Sequence, residues 1–313
     1  MIEVRNLTKR FGATVALQDV SFDVARGEVL GLLGPNGAGK TTAMRIIACY
    51  FPPNAGSVRV GGLDTQKDSV AVRQRIGYLP ESAPLYHDMG VMDYLGFVGR
   101  IRGLREPELG RSAREMVGVC GLQRMAHRTI GTLSKGYRQR VGLAQTLIHD
   151  PEVLILDEPT SGLDPNQIVE IRDLIKQIGR EKTVVLSTHI LPEVEATCSR
   201  VLIINEGTIV ASGTPAELAS QSPGEARVFL TVKGTPEGVE PVLRRSGIAT
   251  DIRLVDTDDG RVRYAIGSAE EEPEEKLFHL AVQNGWTLTE LQRESLSLEE
   301  VFTRLTTRES VTP

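Results

Sequence analysis

The chain has few residues that could form a covalent or metal-bound scaffold. Its 313 residues include only three cysteines, Cys49, Cys120 and Cys198, with no C-x-x-C pair among them. This argues against a disulfide framework and against a zinc site. Each cysteine is predicted to be a small apolar side chain in a protein of a reducing compartment.

Segments that would carry the chain into or through a membrane are also missing. The first six residues, MIEVRN, lack the basic-then-apolar plan of a signal peptide. No apolar run approaches the roughly 18 residues that a membrane-spanning helix needs. We therefore expect a cytoplasmic protein, unless a partner holds it at a membrane.

An excess of basic charge is absent as well. The formal net charge is −5, and the hydrophobic and charged fractions of 40% and 25% are those of an ordinary soluble protein. An acidic balance argues against nucleic acid as the main partner. The length is sufficient for two domains.

The clearest motif that is present is a glycine-rich loop between an apolar strand, residues 28–33, and a predicted helix, residues 43–49. It fits the phosphate-binding pattern G-x-x-x-x-G-K-[ST] without a mismatch. The glycines let backbone N–H groups point at a phosphate, and the helix N-terminus adds its positive dipole end. Lys40 is predicted to reach the β- and γ-phosphates, and the Thr41 hydroxyl to bind Mg²⁺. The predicted nucleotide contacts are Gly34, Pro35, Asn36, Gly37, Ala38, Gly39, Lys40, Thr41 and Thr42.

A second apolar strand supplies carboxylates. Residues 153–156 are a continuous apolar run that ends in Asp157 and Glu158. Such a run is typical of a parallel strand buried on both faces, and ligand-binding groups lie at the C-terminal ends of such strands. Asp157 is predicted to hold Mg²⁺, and Glu158 to orient or deprotonate the water that attacks the γ-phosphate. The alternative is a strand that simply ends in two acidic residues.

A histidine follows the next buried strand. Residues 183–187 predict that strand, and Thr188 and His189 come directly after it. A single histidine is usually structural. However, this one is predicted at the same sheet edge as Asp157, which favours a catalytic role beside Glu158.

Between the loop and the carboxylate strand the pattern is helical. From about residue 82 to residue 150, apolar residues recur at helical spacing in three segments. This indicates a helical subdomain inserted into an α/β core.

Together these motifs resemble the ATP-binding subunits of ABC transporters, over residues 1 to about 220. LSKGYRQR at residues 133–140 is similar to the signature sequence of the family, SGLD at 161–164 to the loop after the carboxylate strand, and His189 to the switch histidine. The resemblance implies an ABC cassette, a P-loop fold with a mixed sheet, which hydrolyses ATP with Mg²⁺. It also implies nucleotide contacts from Ser134, Lys135, Gly136 and Asp164.

Two more residues gain a role from the resemblance. Phe11, which lies on a predicted turn, falls where the family places an aromatic that stacks on adenine. On chemistry alone, a partly buried aromatic in a loop is an equal alternative. Glu81 falls where the family usually has a glutamine that reaches Mg²⁺, and a carboxylate can also bind this ion. The signature itself departs from the usual pattern at Lys135 and Tyr137. The serine and glycine with chemical roles are kept, so we expect function to be retained.

The mechanism that the resemblance implies needs two copies and a membrane partner. In this family two cassettes pack head to tail, so that each ATP lies between one phosphate loop and the signature of the other subunit. ATP then acts as a linkage ligand that closes the dimer, and hydrolysis weakens it. A homodimer, a separately encoded transmembrane permease and a peripheral position on the inner face of the cell membrane follow as expectations.

Three short segments resemble the export-type branch of the family, which includes ATPases of gliding motility, copper-enzyme maturation and drug efflux. They are LPE at 79–81, PLY at 84–86 and SLEEVF at 297–302. The sequence does not indicate the transported substrate.

A soluble ABC-type ATPase that acts on nucleic acid or ribosomes is the main alternative. DNA-repair members carry a long coiled coil before the signature, whereas the segment here lacks heptads. Ribosome-acting members usually carry two cassettes in one chain, and this chain has one phosphate loop. A non-hydrolysing regulatory subunit would need a broken Glu158 or His189, and both are present.

A separate unit is predicted at the C-terminus. After a linker at residues 221–226, residues 227–313 follow the order βαββαβ plus a helix, which suggests a ferredoxin-like α+β domain. No catalytic constellation occurs there. We expect a stabilising or dimer-supporting role, with a ligand sensor as the alternative.

Overall fold

A computed structural model describes residues 1–220, 226–258, 260–270, 272–293 and 298–306. The chain divides into two compact units, one of residues 1–218 with the residues from 302 on, and one of residues 219–301. The predicted C-terminal domain, 227–313, differs from this division because the second half of the last helix groups with the first unit. Most of the predicted linker and the first residue of the SLEEVF segment lie outside the described residues.

The first unit consists of two sheets and the helices between and around their strands. Its strands are β1 Ile2–Phe11, β2 Thr14–Val24, β3 Val29–Leu33, β4 Ala55–Val60, β5 Leu63–Asp64, β6 Ile76–Leu79, β7 Val153–Asp157, β8 Thr183–Thr188, β9 Arg200–Asn205 and β10 Thr208–Gly213. Its helices are α1 Lys40–Ile47, α2 Ser69–Arg75, α3 Val91–Ile101, α4 Glu108–Val119, α5 Lys135–Leu147, α6 Pro165–Gly179, α7 Leu191–Thr197 and α8 Pro215–Ser220.

The larger sheet has the order β10-β9-β3-β8-β7-β6 and is parallel except for the β9–β10 pair. A smaller antiparallel sheet has the order β2-β1-β4-β5. One hydrophobic core joins both sheets and α1, with fully buried residues such as Val4, Leu30 and Ile155. The predicted mixed-sheet core is confirmed.

The register of the large sheet places the ends of three strands together. Leu33 at the end of β3 pairs with Thr188 at the end of β8, and Asp157 at the end of β7 pairs with Ser187. Every residue of β7 and of β8 is buried, as the continuous apolar runs predicted. One sheet edge therefore carries the loops that follow β3, β7 and β8.

Helices α3, α4 and α5 occupy the segment that the sequence predicted to be helical. Helices α3 and α4 each bury one face: α4, for example, buries Leu109, Ala113 and Val117, which recur every four residues. Helix α5 is buried on all sides over residues 141–144, which are buried in succession. Helix α5 begins after Ser134, whose side chain accepts a hydrogen bond from the backbone N–H of Tyr137.

The second unit is built on a four-stranded antiparallel sheet of order β12-β13-β11-β14. This order is that of a ferredoxin-like βαββαβ unit, as predicted. Its core contains Leu230, Tyr264 and Leu277. The elements are β11 Ala226–Lys233, α9 Pro236–Arg245, β12 Asp251–Asp258, β13 Arg261–Ser268, α10 Pro273–Gln283 and β14 Thr287–Arg293, and helix α11, Leu298–Thr306, spans the division between the units. Among the described residues, no helix is long and apolar enough to cross a membrane.

Candidate functional site

The glycine-rich loop connects β3 to α1 and depends on its glycines for both conformation and space. Gly37 and Gly39 have φ values of 82° and 110°, in the left-handed region that favours glycine. A Cβ on Gly39 would lie 2.6 Å from the Ala16 carbonyl oxygen, and one on Gly34 would lie 2.4 Å from the Ile204 carbonyl oxygen. The loop therefore has to be bare backbone, the form in which N–H groups can approach a phosphate closely.

Lys40, the first residue of α1, is almost fully buried beneath this loop. Its Nζ donates hydrogen bonds to the carbonyl oxygens of Gly34 (2.7 Å) and Pro35 (3.1 Å). The same Nζ lies 3.7 Å from Glu158 Oε1. Burial lowers the pKa of Lys40, and the charges of Glu158 and Asp157 oppose this shift. The loop thus holds a cation against the carboxylates that follow β7.

Asp157 is fixed by two hydroxyl groups. Thr41 Oγ1 donates to Asp157 Oδ1 (3.0 Å), and Ser187 Oγ donates to the same oxygen (2.7 Å). Ser187 Oγ also accepts a hydrogen bond from the Glu158 backbone N–H (3.0 Å). The other carboxylate oxygen, Asp157 Oδ2, is buried and has no hydrogen-bond partner within the part of the chain that the structure describes. One acceptor is therefore left over for a ligand.

Glu158 lies between Lys40 and His189. Its Oε2 is 3.0 Å from His189 Nδ1, while its Oε1 faces Lys40. The Glu158 backbone has a φ of 46°, an uncommon conformation for a residue with a side chain, which tertiary contacts have to maintain. The carboxylate is thus held at both oxygens, as a group that positions or deprotonates a water requires.

A polar cleft of about 440 Å³ is lined by Lys40, Thr41, Glu158 and His189, but not by Asp157. The cleft brings together the loop residues from Asn36 to Thr42, the catalytic candidates Glu158 and His189, and the exposed Glu81. It also includes Ser161, which the site prediction omitted although SGLD contains it. Ser187 was missed as well; its signal was a polar residue at the end of a buried apolar strand.

Phe11 does not line this cleft. It is the last residue of β1, paired with Thr14, so the predicted turn begins only at Gly12. The pairing continues to the end of the hairpin because Gly12 adopts a φ of 59°. The ring is 49% exposed and packs edge-on against Phe51 at 5.5 Å.

The signature residues also lie outside the lining of the cleft. Ser134 and Lys135 are exposed at the start of α5. Gly136 is buried because the Gln167 side chain covers it; a Cβ there would lie 2.6 Å from the Gln167 amide carbon. Asp164 caps α6 by accepting from the Gln167 backbone N–H at 3.0 Å. The structure therefore separates the predicted site into the cleft and a second group of residues outside it, in which Ser134 and Lys135 are exposed.

Comparisons with known proteins agree with the geometry. A sequence model described as "ABC transporter" matches residues 17–161. The linearmycin resistance ATP-binding protein LnrL of Bacillus subtilis is 33% identical over 310 residues, which cover 98% of this chain and 99% of that protein. The daunorubicin resistance ATP-binding protein DrrA3 of Streptomyces coeruleorubidus is 36% identical over 252 residues, 80% of each chain.

Solved structures give the same result. A dimeric post-hydrolysis state of the ATP-binding cassette MJ0796, bound to ADP and Pi, is 26% identical, with a TM-score of 0.63 over 68% of this chain and 98% of that one. An ATP-binding subunit of an ABC transporter is 30% identical, with a TM-score of 0.64 over 71% and 92%.

The bare phosphate loop, its buried lysine and the carboxylates opposite it define a P-loop ATPase. More specifically, the chain belongs to the family of ABC transporter ATP-binding subunits, as its motifs predicted. It binds and hydrolyses ATP.

Proposed function

We propose that the chain is one half of an ATP-closed homodimer that drives export through a separately encoded transmembrane permease, on the inner face of the cell membrane. The observation that carries the proposal is the separation of the cleft from the signature residues. Lys40, Glu158 and His189 line the cleft of one chain, whereas Ser134 and Gly136 do not. Two copies packed head to tail would bring the second group of one chain to the cleft of the other.

Each residue then has a chemical role. The loop amides and Lys40 bind the β- and γ-phosphates, and Phe11 stacks on adenine at the exposed end of β1. Glu158 takes a proton from the attacking water, while His189 holds that carboxylate in position. The start of α5 in the partner subunit supplies a hydroxyl and backbone N–H groups to the γ-phosphate, through Ser134, Lys135 and Gly136. Asp164, at the start of α6 in the partner subunit, contacts the same nucleotide.

Mg²⁺ belongs to this proposal. The residues fit it, because Asp157 Oδ2 is a buried acceptor without a partner among the described residues, and Thr41, which is hydrogen-bonded to Asp157, lines the cleft together with Glu81. No group of three or more His, Cys, Asp or Glu side chains among the described residues could hold a metal ion. This suits an ion that arrives with the nucleotide, since Mg²⁺ usually combines one or two carboxylates with substrate phosphates. When bound, it neutralises charge on the β- and γ-phosphate oxygens.

Export is supported by the relatives, which include a linearmycin resistance and a daunorubicin resistance ATP-binding protein. The relatives do not favour the soluble alternative. Glu81 adds a negative charge beside the proposed ion, and we propose that it binds Mg²⁺ more strongly than a glutamine would.

A mixing experiment tests the composite site. Lys40→Ala spoils the loop of a chain, and Ser134→Arg blocks its signature, so each variant alone is expected to hydrolyse ATP at background rate. A mixed dimer retains one intact site, made of the loop of one chain and the signature of the other. Random pairing should therefore restore about a quarter of the wild-type rate. Activity that stays at the sum of the two separate variants would contradict a site shared between subunits.

A second experiment tests the permease. Purification of the tagged full chain in detergent from its own cells is expected to recover a multi-span membrane protein, because ATP-binding subunits of this family generally pair with a transmembrane permease. An untagged strain is the control. Recovery of ribosomes or DNA, without a membrane protein, would favour the soluble alternative instead.

A further inference from the structure

A buried carboxylate outside the cleft has no role in the mechanism described so far. Glu193 lies in the first turn of α7, and only 7% of the residue is exposed. It does not line the cleft, and no cation is paired with it among the described residues. Burial of an acidic side chain without a cation is costly for stability, so its contacts require an explanation.

Both of its hydrogen bonds go to threonines next to catalytic candidates. Glu193 Oε2 accepts from Thr160 Oγ1 (2.8 Å) and from Thr188 Oγ1 (3.0 Å). Thr160 follows Glu158 by two residues, and Thr188 directly precedes His189. A single oxygen atom of α7 therefore connects the loop after β7 to the end of β8, directly before His189.

Neighbouring contacts complete this connection. The Pro159 carbonyl oxygen accepts from Gln139 Nε2 of α5 (2.8 Å), so the segment after Glu158 is held from two sides. At the end of β8, Thr188 Oγ1 accepts from the Ile190 backbone N–H (3.0 Å), which encloses the histidine in a tight turn. Glu193 therefore connects both segments through α7, in addition to the direct contact between Glu158 Oε2 and His189 Nδ1.

The second oxygen of Glu193 indicates that this residue is not kept for stability. Oε1 is buried and has no hydrogen-bond partner among the described residues. An apolar side chain of similar volume would avoid this cost, since replacing buried polar groups by well-packed apolar ones is often neutral or stabilising. The hydrogen bonds of Glu193 therefore account for the geometry of the two segments that they join, and not for the stability of the fold.

We propose that Glu193 is a positioning residue, which sets the distance between the Glu158 carboxylate and the His189 ring by holding Thr160 and Thr188 on one oxygen. This inference rests on the proposed roles of Glu158 and His189. Glu193 itself touches neither the nucleotide cleft nor the reacting atoms.

The test uses a variant that keeps volume and removes the acceptor. In the full chain, Glu193→Met is expected to lower the ATPase kcat about 10- to 100-fold, because an error of about 1 Å in a catalytic group has effects of this size. The KM for ATP should stay within about threefold, since the phosphate loop is untouched. The melting temperature of the Glu193→Met variant should be no more than a few degrees below that of the wild type. Glu195→Met, at an exposed position two residues further along α7, is the matched control and should behave as wild type.

A conservative variant separates positioning from charge. The amide oxygen of Glu193→Gln can accept both threonine hydrogen bonds, so its kcat is expected within about threefold of the wild type. A Gln variant as slow as the Met variant would overturn the proposal, and so would a Met variant with wild-type kcat.

Two single hydroxyl deletions guard against failure of the Met variant to fold. Thr160→Val removes one bond, whereas Thr188→Val removes the bond to Glu193 and also the bond from the Ile190 backbone N–H. Both variants leave Glu193 in place, and each should lower kcat several-fold with little change in KM. Wild-type kcat in both would overturn the proposal. If Glu158→Gln and His189→Ala were themselves fully active, the proposed site would be wrong; if they lose activity and none of these variants does, only the role of Glu193 is wrong.

Discussion

A Glu158→Gln variant of this chain is expected to bind ATP, to lose about 10³-fold in hydrolysis and to accumulate as an ATP-bound dimer. The amide has nearly the shape of the carboxylate, so the cleft should keep its volume. It cannot take a proton from water, and general-base catalysis typically contributes 10²- to 10⁴-fold. ATP that is not hydrolysed continues to bridge the two chains, which shifts the equilibrium towards the dimer.

Light scattering and a hydrolysis assay measure the two effects on the same sample. At saturating ATP and Mg²⁺ the variant should elute with twice the mass of a single chain, and without nucleotide as a monomer. Glu181→Gln, which changes an exposed carboxylate remote from the cleft, is the control and should match the wild type in rate. A monomeric Glu158→Gln protein under saturating conditions would contradict closure by ATP.

The part of the cleft that carries the proposed catalytic residues could be predicted from sequence because its signals are local. The loop around Lys40 is defined by a fixed spacing of glycines, and the strand before Asp157 by an unbroken apolar run. Both patterns depend on residues that are adjacent in the chain, and parallel strands bring their C-terminal ends to one edge. The positions of Glu158 and His189 beside each other follow from that rule.

The contacts that could not be predicted depend on strand register and on packing between elements that are distant in sequence. Ser187 contacts Asp157 only because β7 and β8 pair those two residues across 30 positions of sequence. Glu193 shows no pattern of its own; its threonine partners become neighbours through the packing of α7 beside β8. The hairpin that extends β1 to Phe11 likewise depends on the pairing with β2, which the positive φ of Gly12 permits.

The second unit shows the same limit at a larger scale. Its element order was readable from alternating apolar patterns, and the strand order then follows from the few topologies that βαββαβ chains adopt. The C-terminal end of this unit, at residue 301, could not be predicted from the sequence. The reason is that α11 has one amphipathic pattern that continues through this position. Periodicity locates a helix but does not show which core its apolar face joins.

Lys40→Ala is expected to weaken ATP binding about 10- to 100-fold, as the loss of a hydrogen bond from a charged donor predicts. Hydrolysis should fall to background, since a removed charge-stabilising group costs a further 10²- to 10³-fold in the transition state. The reason lies in the contacts of Nζ, which is buried, bonded to two loop carbonyl oxygens and 3.7 Å from Glu158. Without this cation, Glu158 also loses the positive charge beside it.

Two companion variants separate charge from packing. Lys40→Met fills the buried space without a charge and should be as inactive as the alanine variant, with a smaller loss of melting temperature. Lys176→Ala removes an exposed lysine of α6 and should leave binding and turnover unchanged. Nucleotide affinity by fluorescence titration and turnover by phosphate release measure the two effects. Unchanged hydrolysis by the Lys40→Ala variant would show that the phosphate loop is not part of the ATP site. Activity retained by Lys40→Met alone would show that the loop needs the volume of the side chain and not its charge.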